Sequence, residues 1–405
     1  MGNIQASLIR QPPPPPSQHP RSSIAANEEE EEALEIAGGN YYLTRYRRRL
    51  SKSLMSLHDD MLFEVLTRVP AQDIYDAAMY VCRKWYRIIH THKFIDSHLR
   101  HSPHGLLLRC PHTPAPFMVA RQGQLETSYL TKFKHRVSAG CNGLLLEFEY
   151  NDTSHIVLWT LYIVNPVTKQ VFVLPGIENV NGSKFFGISY AATSMVYKVV
   201  AIVLGPQLKI LTVGVDDSWR SVCTKHLRPL ARSGLAEISP LTTEGFMHWP
   251  TSVSTVVTLN VETEMVEESS GPIPQGHGAP GSAWVSTGSK LSYLMKFERF
   301  GWHVWEMEPE SKEWRKLPDI VISLKDQKRK FQRLGLEKGQ QLEPIGWIKY
   351  KELLALTVSR VLGTFTVFVY NLVTHEVVKV DLPDWVVRHS VVPHQNSLVW
   401  LPGSS

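Results

Sequence analysis

The sequence is poor in the features that mark three common classes of protein. Its four cysteines include no Cys-x-x-Cys pair, so neither a disulfide framework nor a thiolate zinc site is indicated. A net charge of +5 over 405 residues is too small to attract nucleic acid or an anionic membrane by itself. The most apolar stretch, residues 353–373, is interrupted by Arg360 and Gly363 and is unsuited to crossing a bilayer. With no apolar signal segment at the amino terminus, we expect a reduced protein of the cytoplasm, the nucleus or both, with neither nucleic acid nor membrane as a partner.

Motifs for catalysis are also missing. The chain contains no nucleophile elbow, phosphate-binding loop or zinc-protease motif. Histidines cluster in one region, but no cysteine or carboxylate completes a tetrahedral metal set, so we expect solvated rings at a helix end and a linker. These histidines are His90, His92, His98, His101 and His104. We therefore predict no catalytic residue, no bound metal and no cofactor.

The first 53 residues differ in composition from the rest. They contain a proline run at 12–16, an acidic run at 28–32 and an arginine cluster at 45–49. Few bulky apolar residues remain to bury, so the entropy lost on ordering this segment is not repaid. Residues 1–53 are predicted to be a disordered tail.

The next segment has helical spacing. The apolar residues Leu62, Val65, Leu66 and Val69 form one stripe on a helix that starts at Asp59, and Pro70 stops it. A second helix is predicted from Asp73 to Ile88 or Ile89. Short helices of this kind are marginal alone, so their stripes need either a partner helix or the chain's own carboxy-terminal domain.

Residues 54–97 resemble the F-box motif. The apolar spacing, the Pro70 stop and the Val81-Cys82-Arg83-Lys84-Trp85 ending all fall in the family's order, although His58 stands where the family usually has proline. The resemblance implies binding to a Skp-type adaptor and, through it, to a cullin scaffold. The adaptor-binding residues that it implies are Leu57, Met61, Leu62, Val65, Leu66, Val69, Pro70, Ile74, Val81 and Trp85.

Beyond about residue 105 the sequence reads as short strands. Runs rich in β-branched and aromatic residues are separated by turn residues, and no long helical pattern lies between them, which favours an antiparallel all-β architecture. The clearest runs are 143–148, 156–164, 171–174, 196–204, 208–215 and 366–370.

Similar units recur along this region. Each has a strand, a turn rich in Asn, Asp, Pro or Thr, and a second strand, as in a hairpin. Turn marks lie at intervals of 52, 43, 49 and 62 residues, close to the period of propeller blades. The marks are Asn165, Asp217, Asn260, Pro309 and Asn371.

Residues 137–400 resemble the F-box-associated domain of plant F-box proteins, a kelch-like module. The likeness is carried by Ser138–Leu145, Asn165–Thr168, Phe186–Tyr190 with Tyr197–Val200, and the tryptophans Trp219 and Trp314. The expected fold is a small α-helical F-box hairpin followed by an all-β, propeller-like domain of the kelch type with irregular blades. Residues 98–136 are predicted to be a linker and the first strands.

The two resemblances imply the substrate-recognition subunit of an SCF-type ubiquitin ligase, which is not itself an enzyme and which binds an unknown protein substrate. The alternative is a propeller binding module outside any ligase, with a degenerate F-box whose stripe packs internally. Exposure of Leu62, Val65, Leu66 and Val69 would favour the ligase subunit. The weak candidates for a substrate-binding patch are Lys328, Arg329, Lys330 and Arg333.

Overall fold

The structure, a computed structural model, contains a short helical region followed by a β-propeller. The described residues are 57–108, 113–121, 123–153, 156–179, 185–203, 207–273, 280–322, 341–359, 365–383 and 391–403. The predicted disordered tail lies outside these ranges. The chain divides into two units between Glu64 and Val65.

Five short α-helices occur in the described residues. They are α1 (Asp59–Leu66), α2 (Ala71–Asp76), α3 (Arg83–Ile89), α4 (His92–His101) and α5 (Pro229–Gly234). Within the described ranges no helix is long and apolar enough to cross a membrane.

The first helix begins where the sequence predicts. Asp59 and Asp60 place negative charge in its first turn, where backbone N–H groups lack helical partners. The carbonyl oxygen of His58 accepts the first hydrogen bond of the helix, from the Leu62 N–H at 3.0 Å. His58 makes this bond with its backbone alone, so the helix starts normally without the family's proline.

The prediction of one second helix is wrong, because the segment contains two. Pro70 precedes α2, which ends at Asp76, and Ala77 leaves the helical region with φ −137°. A 3₁₀ turn, Ala78–Tyr80, and an extended Cys82 then lead into α3. A 3₁₀ turn keeps nearly the spacing of an α-helix, so apolar periodicity does not reveal the break.

The described strands form six antiparallel blades. Blade 1 contains β1 (Gly105–Leu108), β2 (Pro114–Arg121), β3 (Gln124–Lys132) and, from the chain's end, β25 (Val391–His394). Blade 2 contains β4 (Arg136–Cys141), β5 (Leu144–Thr153), β6 (Ile156–Asn165), β7 (Gln170–Val173) and the short β8 (Ile177–Asn179). Blade 3 contains β9 (Phe185–Ala191), β10 (Val196–Val203), β11 (Gln207–Thr212) and β12 (Arg220–Val222).

The remaining three blades follow in chain order. Blade 4 contains β13 (Leu241–Thr243), β14 (Phe246–Ser252), β15 (Thr255–Asn260) and β16 (Met265–Ser270). Blade 5 contains β17 (Ala283–Ser286), β18 (Leu291–Glu298), β19 (Gly301–Met307) and β20 (Trp314–Val321). Blade 6 contains β21 (Leu342–Lys349), β22 (Leu353–Ser359), β23 (Phe365–Asn371) and β24 (Glu376–Val380).

The ring is closed by strands from both ends of the folded region. β25 pairs with β1, with Gly105 opposite His394, so the innermost strand of blade 1 comes from the carboxy-terminal end. The six innermost strands adjoin in the order β25, β4, β9, β13, β17 and β21, and β21 returns to β25. The predicted propeller-like fold is confirmed, and the blade number is six. The strands within residues 98–136 complete blade 1.

Three of the predicted turn asparagines form the same hairpin turn in three different blades. The Oδ1 atoms of Asn165, Asn260 and Asn371 each accept hydrogen bonds from the backbone N–H groups two and three residues later. These Asx turns join the third and fourth strands of blades 2, 4 and 6. The residue four places after each asparagine has a left-handed φ near 60°, namely Lys169, Glu264 and His375.

Two of the predicted marks do not occupy the asparagine position of their hairpin. In blade 5 the left-handed residue is Lys312, so Glu308 rather than Pro309 occupies the asparagine position. In blade 3 the Asp216 N–H donates to the Thr212 carbonyl at 3.0 Å, as the Lys169 N–H does to the Asn165 carbonyl, so Thr212 rather than Asp217 occupies that position. Both hairpins use a different first residue, so the sequence resemblance was too coarse to fix their register.

Tryptophans connect neighbouring blades at their outer strands. The Trp219 Nε1–H donates to the Pro175 carbonyl, which ties blade 3 to blade 2 at 2.8 Å. The Trp314 Nε1–H donates to the Ser270 carbonyl at the same distance and ties blade 5 to blade 4. Each ring therefore packs its apolar surface between blades while its one polar atom is satisfied.

Candidate functional site

The predicted adaptor-binding residues divide by solvent exposure. Leu62, Leu66, Ile74 and Trp85 are buried, and Leu57 and Val69 are half-buried. The exposed members of the set are Met61, Val65, Pro70 and Val81. The predicted stripe is therefore neither wholly exposed nor wholly internal.

Exposure of all four stripe residues was the feature expected of a ligase subunit, but Leu62 and Leu66 are buried. These side chains lie on the face of α1 that is withdrawn from water, whereas Val65 is 47% exposed. Met61 and Val65 are four residues apart on α1, so they share a face. The exposed face of α1 is therefore different from the apolar stripe that helical periodicity identifies.

Two exposed aromatic residues were missed by the sequence reasoning. Tyr80 is 70% exposed and Tyr86 is 48% exposed. Each is a large apolar residue that does not fall on the buried face of the helical segment. An analysis of helical periodicity looks for the buried face and therefore leaves such residues out. We call Met61, Val65, Tyr80, Val81 and Tyr86 the exposed apolar set.

His98 is a structural residue of the helical segment, so the expectation of a solvated ring is wrong for it. The side chain is 2% exposed, and its Nε2–H donates to the Val69 carbonyl at 2.8 Å. Burial lowers the pKa of His98, because the charged ring would lose its hydration. The neutral ring thereby ties α4 to the turn that follows α1.

The last described residues pass across the turn end of blade 2. We call residues 395–403 the C-terminal strap. The Asn165 side-chain amide donates to the carbonyls of Ser397, at 3.2 Å, and Val399, at 2.8 Å. The backbone N–H of Leu401 donates to the Gln170 side chain at 3.0 Å. Asn165 is fully buried, so one side chain both forms the hairpin turn and binds the strap.

The strap also touches the helical segment. Trp400 stacks on His90, with ring centroids 4.6 Å apart, and His90 stacks in turn on Tyr86 at 3.9 Å. Tyr75 of α2 lies 6.3 Å from the Trp400 ring, and the Lys169 ammonium in the β6–β7 turn lies 5.8 Å above Tyr75. Helices α2 and α3 are therefore held at the end of the propeller that carries this turn.

Apolar packing reinforces the same junction. Ile95 of α4 packs against the core cluster between blades 2 and 3. Val399 and Leu401 of the strap belong to that cluster. Removal of the strap would therefore expose apolar surface on both the propeller and the helices.

Replacement of Asn165 by alanine should destabilise the chain more than replacement of Asn371. Asn165→Ala leaves two buried strap carbonyls without donors and removes the turn, a loss of about 2–4 kcal/mol. Asn371→Ala removes only the turn, a loss of about 1 kcal/mol. Urea unfolding of the two variants measures the difference. Equal losses would show that the strap contacts contribute nothing.

The sequence offered a basic patch as the candidate for a recognition surface on the propeller. The basic residues Lys328, Arg329, Lys330 and Arg333 lie outside the described residues. Eight tryptophans of the propeller, large enough to act as recognition anchors, are all buried or half-buried. They are Trp159, Trp219, Trp249, Trp284, Trp302, Trp305, Trp314 and Trp347. None of these rings is an exposed anchor.

Family comparison agrees with both parts of this architecture. The family model for the F-box associated beta propeller domain matches residues 117–402, and the model for the F-box domain matches residues 54–97. The first match alone covers more than half of the chain. This chain therefore belongs to the F-box proteins that carry an F-box associated beta propeller domain.

Related proteins occur in Arabidopsis thaliana. One, named F-box only protein 15, is 24% identical over 288 residues, which cover 66% of this chain and 72% of that protein. A second F-box protein is 28% identical over 191 residues, which cover 44% of this chain and 48% of its own length.

Solved structures resemble this chain only weakly. TolB from Acinetobacter baumannii matches with a TM-score of 0.39 at 10% identity, over 78% of this chain and 73% of its own. The periplasmic gluconolactonase of Pseudomonas aeruginosa matches with a TM-score of 0.37 at 10% identity, over 72% of this chain and 99% of its own. Similarities of this size carry no argument about function.

Proposed function

We propose that this chain is the substrate-recognition subunit of an SCF-type ubiquitin ligase. In this proposal the F-box binds a Skp-type adaptor, which connects the chain to a cullin scaffold. The propeller binds a target protein and so directs its ubiquitination and degradation. The chain acts as a non-catalytic specificity subunit, without a cofactor, in the cytoplasm, the nucleus or both.

The exposed apolar set is the observation that carries the proposal. Five large apolar side chains, each more than 40% exposed, occur within residues 61–86 of the matched F-box. Concentrated exposed apolar residues on a soluble chain mark interaction sites, since their contact with water is unfavourable. A protein partner that covers them is the simplest explanation of their exposure.

The predicted adaptor residues then have two roles. Met61, Val65 and Val81 would contact the adaptor directly, because their side chains are available. Leu66 and Trp85 would keep the F-box helices folded, because they are 1% and 8% exposed.

A second candidate is a propeller binding module that acts outside a ubiquitin ligase. The burial of Leu62 and Leu66 favours it, since an internally packed stripe was its expected feature. This second candidate does not explain why Tyr80 and Val81 are exposed.

Titration with a Skp-type adaptor tests the proposal. Isothermal calorimetry of the purified full chain should give a saturable one-to-one complex with a Kd of about 1 µM or tighter. Far-UV circular dichroism of the same sample establishes that the chain is folded. A folded chain that releases no heat with the adaptor would contradict the proposal and leave the second candidate.

A further inference from the structure

Blade 3 carries a cavity of about 700 Å³ beside the short helix α5. Its walls come from the start of β11, the end of β12 and the segment that continues into α5. β11 begins and β12 ends at the edge of the blade opposite the turn that joins them. The helical segment lies at the turn end of the propeller, where Lys169 meets Tyr75. The cavity is therefore at the opposite end of the propeller from α2 and α3.

The charge of the cavity has one sign. Of the described residues that line it, Lys225 and Arg232 are charged and none is acidic. Among the described residues neither side chain forms an ion pair, whereas the adjacent Arg228 is paired with Glu268. Arg232 is half-buried, and none of the described carboxylates forms an ion pair with it. A ligand with negative oxygen atoms would supply the missing partner.

Neutral groups in the cavity fit the same kind of ligand. The residues Ser221 and Thr224 line it, and their hydroxyl groups can donate hydrogen bonds to anionic oxygens. Leu208 contributes an apolar wall. Leu230, the neighbour of the lining Pro229, is 83% exposed. Cations beside an exposed leucine suit a peptide that carries both acidic and apolar residues, and not a free ion.

We propose that this cavity binds an acidic segment of a target protein, whose clustered carboxylates or phosphoryl group pair with Lys225 and Arg232. The proposal rests on the function proposed above, because it assigns a substrate class to the propeller. The shared chemistry is an anionic oxygen group presented on a peptide with an apolar neighbour.

Fluorescence anisotropy of the full chain tests this with three labelled peptides. The first has six glutamates around one leucine, the second has glutamines in place of the glutamates, and the third carries phosphoserine in place of two glutamates. The acidic peptides should bind at least tenfold more tightly than the glutamine peptide and should weaken as salt rises. Tighter binding of the phosphoserine peptide would assign a phosphoryl group, and equal binding would assign clustered carboxylates.

Substitutions locate the binding site. Lys225→Gln and Arg232→Gln should each weaken the acidic peptide about tenfold, as expected for loss of one charged hydrogen bond. Lys379→Gln removes an exposed cation from blade 6 and should leave the affinity unchanged. Native affinity in both cavity variants would overturn the proposal, as would displacement of the peptide by equimolar inorganic phosphate.

Adaptor titration of the same samples separates the two proposals. If the chain binds the adaptor but no acidic peptide better than the glutamine peptide, the cavity proposal fails and the ligase proposal stands. If it binds acidic peptide through the cavity but no adaptor, the cavity proposal stands and the ligase proposal fails.

Discussion

Substitution of Val65 and Val81 by aspartate should abolish adaptor binding while the chain stays folded. The two side chains are 47% and 42% exposed, so a charge at these positions should lower the free energy of unfolding only slightly. An adaptor that covers them would have to bury two carboxylates without partners, which lowers affinity by about 100-fold or more. Titration of the double variant with the adaptor measures this loss.

The choice of residues decides whether this experiment can be interpreted. Leu66 belongs to the same stripe, but it is 1% exposed, and a charge there would unfold the helix rather than test the surface. Val373→Asp with Val378→Asp is the matched control, because both valines are exposed on blade 6. The control should bind the adaptor as the native chain does. Native affinity in the Val65 and Val81 variant would contradict the proposed surface.

Acidification from pH 6.5 to pH 5 should lower the free energy of unfolding by about 3 kcal/mol through the buried His248 and His394. Burial lowers the pKa of His248 to about 3 and that of His394 to about 4, from an ordinary value of 6.5. Below pH 6.5 the unfolded chain therefore binds protons that the folded chain excludes. The stabilisation is complete above pH 6.5 and is lost as pH falls towards the folded values.

Urea unfolding at several pH values measures this dependence, and one variant assigns it. The ring of His248 lies between the hydroxyl groups of Thr243 and Thr258, at 2.9 and 3.0 Å. His248→Gln places a side-chain amide in that position, and an amide does not take up a proton in this pH range. It should remove the His248 contribution to the slope, about 1.5 kcal/mol between pH 6.5 and 5. An unchanged slope in this variant would assign the pH dependence to other groups.

Local patterns predicted most of the propeller. The predicted runs at 143–148, 156–164 and 196–204 correspond to β5, β6 and β10. Short apolar runs bounded by turn residues are typical of strands buried between packed sheets, so they can be recognised locally. The asparagine turns were also predictable, since an Asx turn depends on residues two and three places away.

Contacts between distant residues were not predictable in this way. Asn165 binds the carbonyl of Val399, 234 residues later in the chain, and no local signal marks that pair. The same holds for Trp400 on His90 and for the pairing of β25 with β1. The exposed apolar set was predicted in part, since Met61, Val65 and Val81 belong to the predicted residues, whereas helical periodicity passes over exposed residues such as Tyr80.

Assembly of the full chain with a Skp-type adaptor and a cullin tests the central claim most directly. Size-exclusion chromatography with light scattering should give one species with the mass of a one-to-one-to-one complex. Omission of the adaptor should leave the chain and the cullin separate. A folded chain that elutes alone in the presence of both partners would contradict its assignment as a ubiquitin-ligase subunit.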